Sequence, residues 1–303
     1  MKNIYILLLL VMLLWGFNIS AVKVLVSNID PILLTSIRIF VAGISVLVIA
    51  YFINIFRFPN KKEWKLIFFI AIFNVIVHHS TVALGLTITS GVNAGLILGM
   101  GPLVTVLFSA LLLRKQVTVY RIAGFISGFI GVIITILTGA EGFSSISIGD
   151  LLVFLGMLTQ AYSFILISKL NPSFDPRLLT GYMLIIGSFF VFIISLFNGS
   201  HMGELTNLIH WKIGFVFLFS AVFCTAIGHM IYNFAIKKVG PAESAIFINF
   251  NTFFAVLGAA IFLKETITYH HLVGLVFIVA GVLMGSGTID YWLKMKHQKE
   301  KGI

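Results

Sequence analysis

The chain has 303 residues, 59% of them hydrophobic and only 10% charged, with a mean hydropathy of +1.10. That much apolar surface cannot be hidden in a water-soluble core, and at about 20 residues per bilayer crossing the chain holds roughly ten spans and no separate soluble domain. The net charge of +10 comes from residues lying between apolar runs and in the tails, where they act as topology signals and not as a nucleic-acid surface, and the lone Cys224 excludes an intramolecular disulfide framework or a multi-cysteine metal site.

The first apolar run, residues 4–26, follows Lys2 and continues through Val26 without a small-x-small cleavage site, so it reads as a retained helix and not a leader. It contains Trp15 and Asn18, with Lys23 near its far end. The second span, 32–56, opens on Asp30-Pro31 and carries Arg38 about one and a half to two turns in. There the long side chain either attracts an anionic solute or snorkels to anchor the helix at the interface, and the anchor is the preferred reading. In the third span, 66–88, His78 and His79 lie deep, but as sequence neighbours they are not the i, i+4 pair that puts two metal ligands on one helix face. The fourth span, 92–113, has Asn93 near its start and Gly91, Gly95, Gly99 and Gly101 before Pro102. Small residues four apart favour close helix packing, and Gly101-Pro102 removes a backbone donor, which makes it a candidate hinge. The fifth span is 119–138.

The sixth span, 150–170, holds Gln160, Tyr162 and Ser163; the seventh is 177–197; the eighth, 213–236, holds His229 and Asn233. In the ninth, 242–263, Asn249 and Asn251 lie roughly 10 to 14 Å from the start, near the bilayer midplane. The tenth is 270–289. Runs that are continuously apolar exclude an outer-membrane barrel, whose strands alternate, and leave an all-α membrane protein.

The chain is also duplicated. Asp30-Pro31-Ile32-Leu33-Leu34-Thr35 recurs as Asp175-Pro176-Arg177-Leu178-Leu179-Thr180, and Trp64-Lys65 as Trp211-Lys212. An ungapped offset then pairs His79 with His229, Thr118 with Thr268, Gly124 with Gly274 and Gly131 with Gly281. The expected organisation is therefore a first five-helix repeat over 1–140, a second over 141–289, and a basic tail, 290–303. Five spans is an odd number, so the second half enters the membrane from the opposite side and the ten transmembrane helices form two inverted repeats, an arrangement typical of carriers with a midplane site. With the N-terminus inside, sixteen Lys and Arg face the cytoplasm and only Lys212 and Lys264 face out, which puts both termini in the cytoplasm.

These residues resemble the EamA branch of the drug/metabolite transporter superfamily over almost the whole chain. The marks are Leu14-Trp15-Gly16-Phe17-Asn18 with Lys23, Asp30-Pro31 with Arg38, Gly91 to Pro102, Gly240-Pro241-Ala242-Glu243-Ser244, Leu263-Lys264-Glu265, and Gly274 with Gly281. The resemblance implies a carrier in a bacterial cytoplasmic membrane, commonly an exporter of amino acids or related metabolites, with a cavity between the halves. It also implies that the glycine-bearing fifth and tenth helices lie behind the cavity and support half-to-half or homodimer contacts. Lys115 stands where the family often has a glutamate, which the second half keeps as Glu265.

All ten acidic residues fall at span ends, loops or tails. A proton/cationic-drug antiporter needs a carboxylate buried at midspan, which weighs against a multidrug exporter. His79 and His229, at equivalent positions, are expected to face one cavity and to bind a carboxylate or relay a coupling proton. The expected solute contacts are Asn18, His79, Tyr162, His229, Asn249 and Asn251. Trp15, Arg38, Asn93, Gly101, Pro102, Gln160 and Asn233 are expected to line the cavity or serve gating. No cofactor, metal or catalytic residue is expected, since HExxH, GxSxG and phosphate-loop patterns are missing from the sequence. The partners are a small-molecule solute and the lipid bilayer. A passive facilitator or a multidrug exporter and, more remotely, a membrane-embedded enzyme stay open as alternatives.

Overall fold

The computed structural model describes residues 2–113, 118–137 and 147–285, and every long element among them is helical. The first half contains α1 (Lys2–Val26), α2 (Pro31–Phe52), α3 (Lys61–Ile70), α4 (His78–Ile88), α5 (Gly91–Leu98), α6 (Gly101–Leu112) and α7 (Val119–Leu137). The second contains α8 (Ile148–Ser168), α9 (Pro176–Phe197), α10 (Trp211–Leu218), α11 (Gly228–Val239), α12 (Pro241–Ile246), α13 (Ile248–Phe262) and α14 (Tyr269–Gly285). Two π-helical segments, Ala71–Val77 and Phe219–Ile227, join α3 to α4 and α10 to α11 into single long rods.

Among the described residues, eight segments are long and apolar enough to cross a membrane: Ile4–Val26, Pro31–Phe52, Lys61–Ile88, Gly91–Leu112, Ile148–Ser168, Pro176–Phe197, Trp211–Val239 and Pro241–Phe262. Ten were expected; at the fifth and tenth positions the apolar stretches are shorter, Ile122–Gly131 and Tyr269–Gly281. The expected boundary at 140/141, the tail 290–303 and Lys115 lie outside the described residues.

The duplicated Asp-Pro pairs explain why α2 and α9 begin where they do. Asp30 accepts from the backbone N–H groups of Ile32 and Leu33 at 3.1 and 2.9 Å, and Asp175 from that of Arg177 at 2.8 Å. Proline follows each cap at the position where its missing N–H costs nothing. Asn60 and Glu63 form a reciprocal capping box on α3, and Glu63 also pairs with Arg57 at 2.7 Å. The fourth span is two helices, with Gly99 and Met100 as the turn between α5 and α6; Pro102 sits in the first turn of α6.

In packing, α2 lies against α9, α7 against α14, α4 against α8 and α1 against α13; α5 meets α13 while α6 meets α12. Lipid tails are as apolar as leucine, so these contacts hold by close fit and not by escape from water. Gly16 shows how close: a Cβ there would stand 2.4 Å from the Phe254 Cβ and 2.9 Å from the Asn251 carbonyl, so only glycine lets α1 reach α13. One buried cluster is built around Leu8, Ile39, Ile70, Leu179 and Tyr232, a second around Leu25, Leu34, Leu96, Val153 and Ala255.

Candidate functional site

Residues of α1, α2, α4, α5, α8, α11 and α13 enclose a polar cavity. Its volume is about 70 Å³, space for on the order of five waters. Polar groups reach it from Trp15, Asn18, Arg38, His78, His79, Gln160, His229 and Asn251. No Asp or Glu is among its lining residues.

Arg38 is 2% exposed, so it does not snorkel: the interface-anchor reading is corrected. Its Nη1 donates to Thr225 Oγ1 at 2.7 Å and, at 3.4 Å, to Ser220 Oγ; Nη2 lies 3.5 Å from His79 Nδ1. Ser220 Oγ in turn donates to Asn18 Oδ1 at 2.5 Å. Ser220 and Thr225 are five residues apart within the second π segment, where Thr225 Oγ1 also donates to the Ser220 carbonyl at 2.8 Å. The i to i+5 geometry brings both hydroxyls to Arg38; π segments of this kind recur at functional sites.

The three histidines form a row. Ring centroids are 4.7 Å apart for His78 and His79 and 5.4 Å for His79 and His229, with Trp15 4.8 Å beyond His229. Trp15 Nε1 donates to the Cys224 carbonyl at 2.9 Å, which fixes its indole in the wall. Carbonyls accept only, so His78 Nδ1 donates to Gly156 O at 2.9 Å and His229 Nδ1 to Thr225 O at 3.1 Å. His78 Nε2 then accepts from the Gln160 amide at 3.0 Å. The Nε2 atoms of His79 and His229 are buried without a partner.

Of the expected solute contacts, Asn18, His79, His229 and Asn251 come together here, joined by Trp15, Arg38 and Gln160. Tyr162 and Asn249 are not among the lining residues. The Tyr162 ring instead meets Phe73 and Phe108 edge-on at 4.7 and 6.1 Å. Asn233 donates to Thr180 Oγ1 at 2.9 Å, tying α11 to α9. Asn93 lines a separate hollow with Ser90, Lys264, Glu265 and His271, while Gly101 and Pro102 belong to the first turn of α6. Sequence reasoning left His78, Ser220 and Thr225 out of the site. His78 adjoins His79; the hydroxyl pair gave no signal, because five residues apart is a shared face only on a π-helix.

The sequence pattern of the EamA-like transporter family matches residues 2–137 and again 147–286. An uncharacterised transporter of Bacillus subtilis (strain 168), YyaM, is 27% identical over 95% of this chain and 94% of its own length. An uncharacterised transporter of Archaeoglobus fulgidus is 25% identical over 92% of this chain and 96% of its own. The chloroplastic WAT1-related protein At3g02690 of Arabidopsis thaliana is 21% identical over 86% of this chain and 64% of its own. A solved crystal structure shares the fold at a TM-score of 0.67 and 15% identity, over 93% of this chain and 96% of that one. The chain is a multi-pass membrane protein and belongs to the EamA-like transporter family.

Proposed function

We propose that the chain is a secondary carrier that moves a small polar metabolite, an amino acid or a related compound, out of a bacterial cell through this cavity by alternating access. The observation that carries the reading is the meeting of His79 and His229, equivalent residues of the two repeats, at 5.4 Å in a wall otherwise made of apolar spans. A carrier built from inverted repeats has its site at that junction. The reversed order in which α5 and α6 meet α13 and α12 supports the inversion, because helices paired in reverse order run antiparallel. The described acidic residues supply no carboxylate to the cavity, which favours a metabolite over a cationic drug.

The test begins with metabolite profiling of cells and medium from deletion and overexpression strains, followed by flux of the leading solute in liposomes containing the purified protein. Protein-dependent flux that disappears in the His79→Ala/His229→Ala double variant is the expected result. Folded protein that gives no flux for any candidate solute would overturn the carrier reading.

A further inference from the structure

The guanidinium of Arg38 is charged at any physiological pH. Everything it touches in the structure is neutral: the hydroxyls of Thr225 and Ser220 and the Nδ1 of His79. Its Nε has no partner. Among the described residues the ion pairs are Arg57 with Glu63 and Arg177 with Asp175, both at helix ends. A buried cation without a counter-charge is unfavourable unless something compensates it. The other half shows that the fold does not require it: the offset that pairs Asp30 with Asp175 pairs Arg38 with Met183, which is fully buried.

The directions of the free groups are also set. A guanidinium only donates, so His79 Nδ1 accepts from it and the neutral ring carries its proton on Nε2. Arg38 Nε–H and His79 Nε2–H are thus two unused donors on joined side chains. Because His229 Nδ1 donates to Thr225 O, its free Nε2 is an acceptor, and the Asn251 Oδ1 is a second unused acceptor. All four atoms are covered in this conformation, so a solute meets them only as the cavity opens; donors beside a fixed positive charge, with acceptors on other lining residues of the same cavity, suit a carboxylate with a hydroxyl next to it.

We propose that the solute class of this cavity is the small 2-hydroxy acid carrying one net negative charge, its carboxylate taken by Arg38 and His79 and its hydroxyl donated to His229 or Asn251. This narrows the carrier reading from amino acids to their 2-hydroxy analogues: a zwitterion would leave the site with the net positive charge it began with, and a monoanion cancels it. The proposal rests on the carrier reading only for the cavity's being a solute site, and binding can be measured without transport.

The experiment is isothermal titration of the purified full chain at neutral pH with lactate, lactamide, alanine and chloride, for the parent and for Arg38→Met, the residue the other half already accommodates. Lactate should bind at least about tenfold more tightly than lactamide, the usual worth of a charge-assisted hydrogen bond. Arg38→Met should erase that difference. Equal binding of lactate and lactamide by the parent overturns the proposal and needs no folded variant; so does chloride or alanine binding as tightly as lactate. Lactate binding without flux in liposomes sinks the carrier reading and leaves this one standing. Protein-dependent flux of a neutral or cationic solute, with no lactate binding, does the reverse.

Discussion

Gly131 on α7 lies directly against the carbonyl oxygen of Gly274 on α14: a Cβ on Gly131 would stand 2.7 Å from it. The offset that pairs His79 with His229 also pairs Gly131 with Gly281 and Gly124 with Gly274. A Cβ on Gly281 would stand 2.6 Å from the Gly124 carbonyl oxygen, so the second contact is the first with the halves exchanged. Reciprocal contacts of this kind are the mark of a two-fold relation. A carbonyl in a helix cannot swing aside as a side chain end can. Gly131→Ala and Gly281→Ala should each destabilise the protein by about 1 to 3 kcal/mol, to similar extents. Gly203, with nothing within 4 Å of a Cβ, is the control that should tolerate alanine. Thermal unfolding in detergent decides it; a large loss in only one glycine variant would break the equivalence.

Gln160 and Asn233 carry the same amide chemistry and should fail differently. Gln160 reaches the cavity and holds His78 at 3.0 Å; Asn233 spans α11 to α9 through Thr180. Gln160→Ala should lower flux several-fold with little change in the unfolding midpoint. Asn233→Ala should cost about 0.5 to 1.5 kcal/mol of stability, one hydrogen bond, because the Thr180 hydroxyl still donates to the Pro176 carbonyl at 3.0 Å, with flux per folded molecule retained.

Glu265 closes the start of α5 from the other repeat, accepting from the backbone N–H groups of Gly91 and Val92, each at 2.9 Å. Both are donors that a helix start cannot satisfy internally. Glu265→Ala should cost about 0.5 to 2 kcal/mol, and Glu265→Gln, which keeps one acceptor oxygen, about half as much. Equal midpoints for Glu265→Ala and the parent would show that the contact adds nothing.

Acid should weaken the cap on α9. Burial raises the Asp175 carboxyl, but the side-chain and backbone donors of Arg177 outweigh it, and the net result lies below the ordinary carboxylate range. A lowered folded value means that this stabilisation is complete above about pH 4, the unfolded value, and fades as pH falls through the folded one. Asp175→Asn should therefore unfold earlier than the parent at neutral pH, and the gap should narrow on acidification. A gap that stays constant down to strongly acid pH would rule out the linkage.

Eight of the ten expected spans, the duplication and the meeting of His79 with His229 were legible, because bilayer thickness fixes span length and a repeat fixes which residues correspond. Arg38 was misread for a physical reason. Its depth along α2 was known, but a snorkelling and a buried arginine share that depth, and only the hydroxyls of Ser220 and Thr225 distinguish them. Those two face it together because their segment is π-helical, and no apolar period announced that. Tyr162 and Asn249 were placed by depth alone: residues two apart on a helix point about 200° apart, so Gln160 and Asn251 reach the cavity lining where Tyr162 and Asn249 do not.

The π segments also make position in this protein a matter of counting. Each ring closed by an i to i+5 bond spends one residue more than its α-helical neighbours, so each rod carries one surplus residue upstream of its histidine. Removing one residue from either segment would let the turn close as ordinary α-helix, with hydropathy and span length almost untouched. The helix beyond would keep nearly its old phase, because the wide turn had already absorbed the extra residue, and what would be lost in the second rod is the i to i+5 pairing that sets Ser220 and Thr225 against Arg38. A relative that lacks the surplus residue in its second rod would keep the row of rings and lose the pair of hydroxyls beside Arg38.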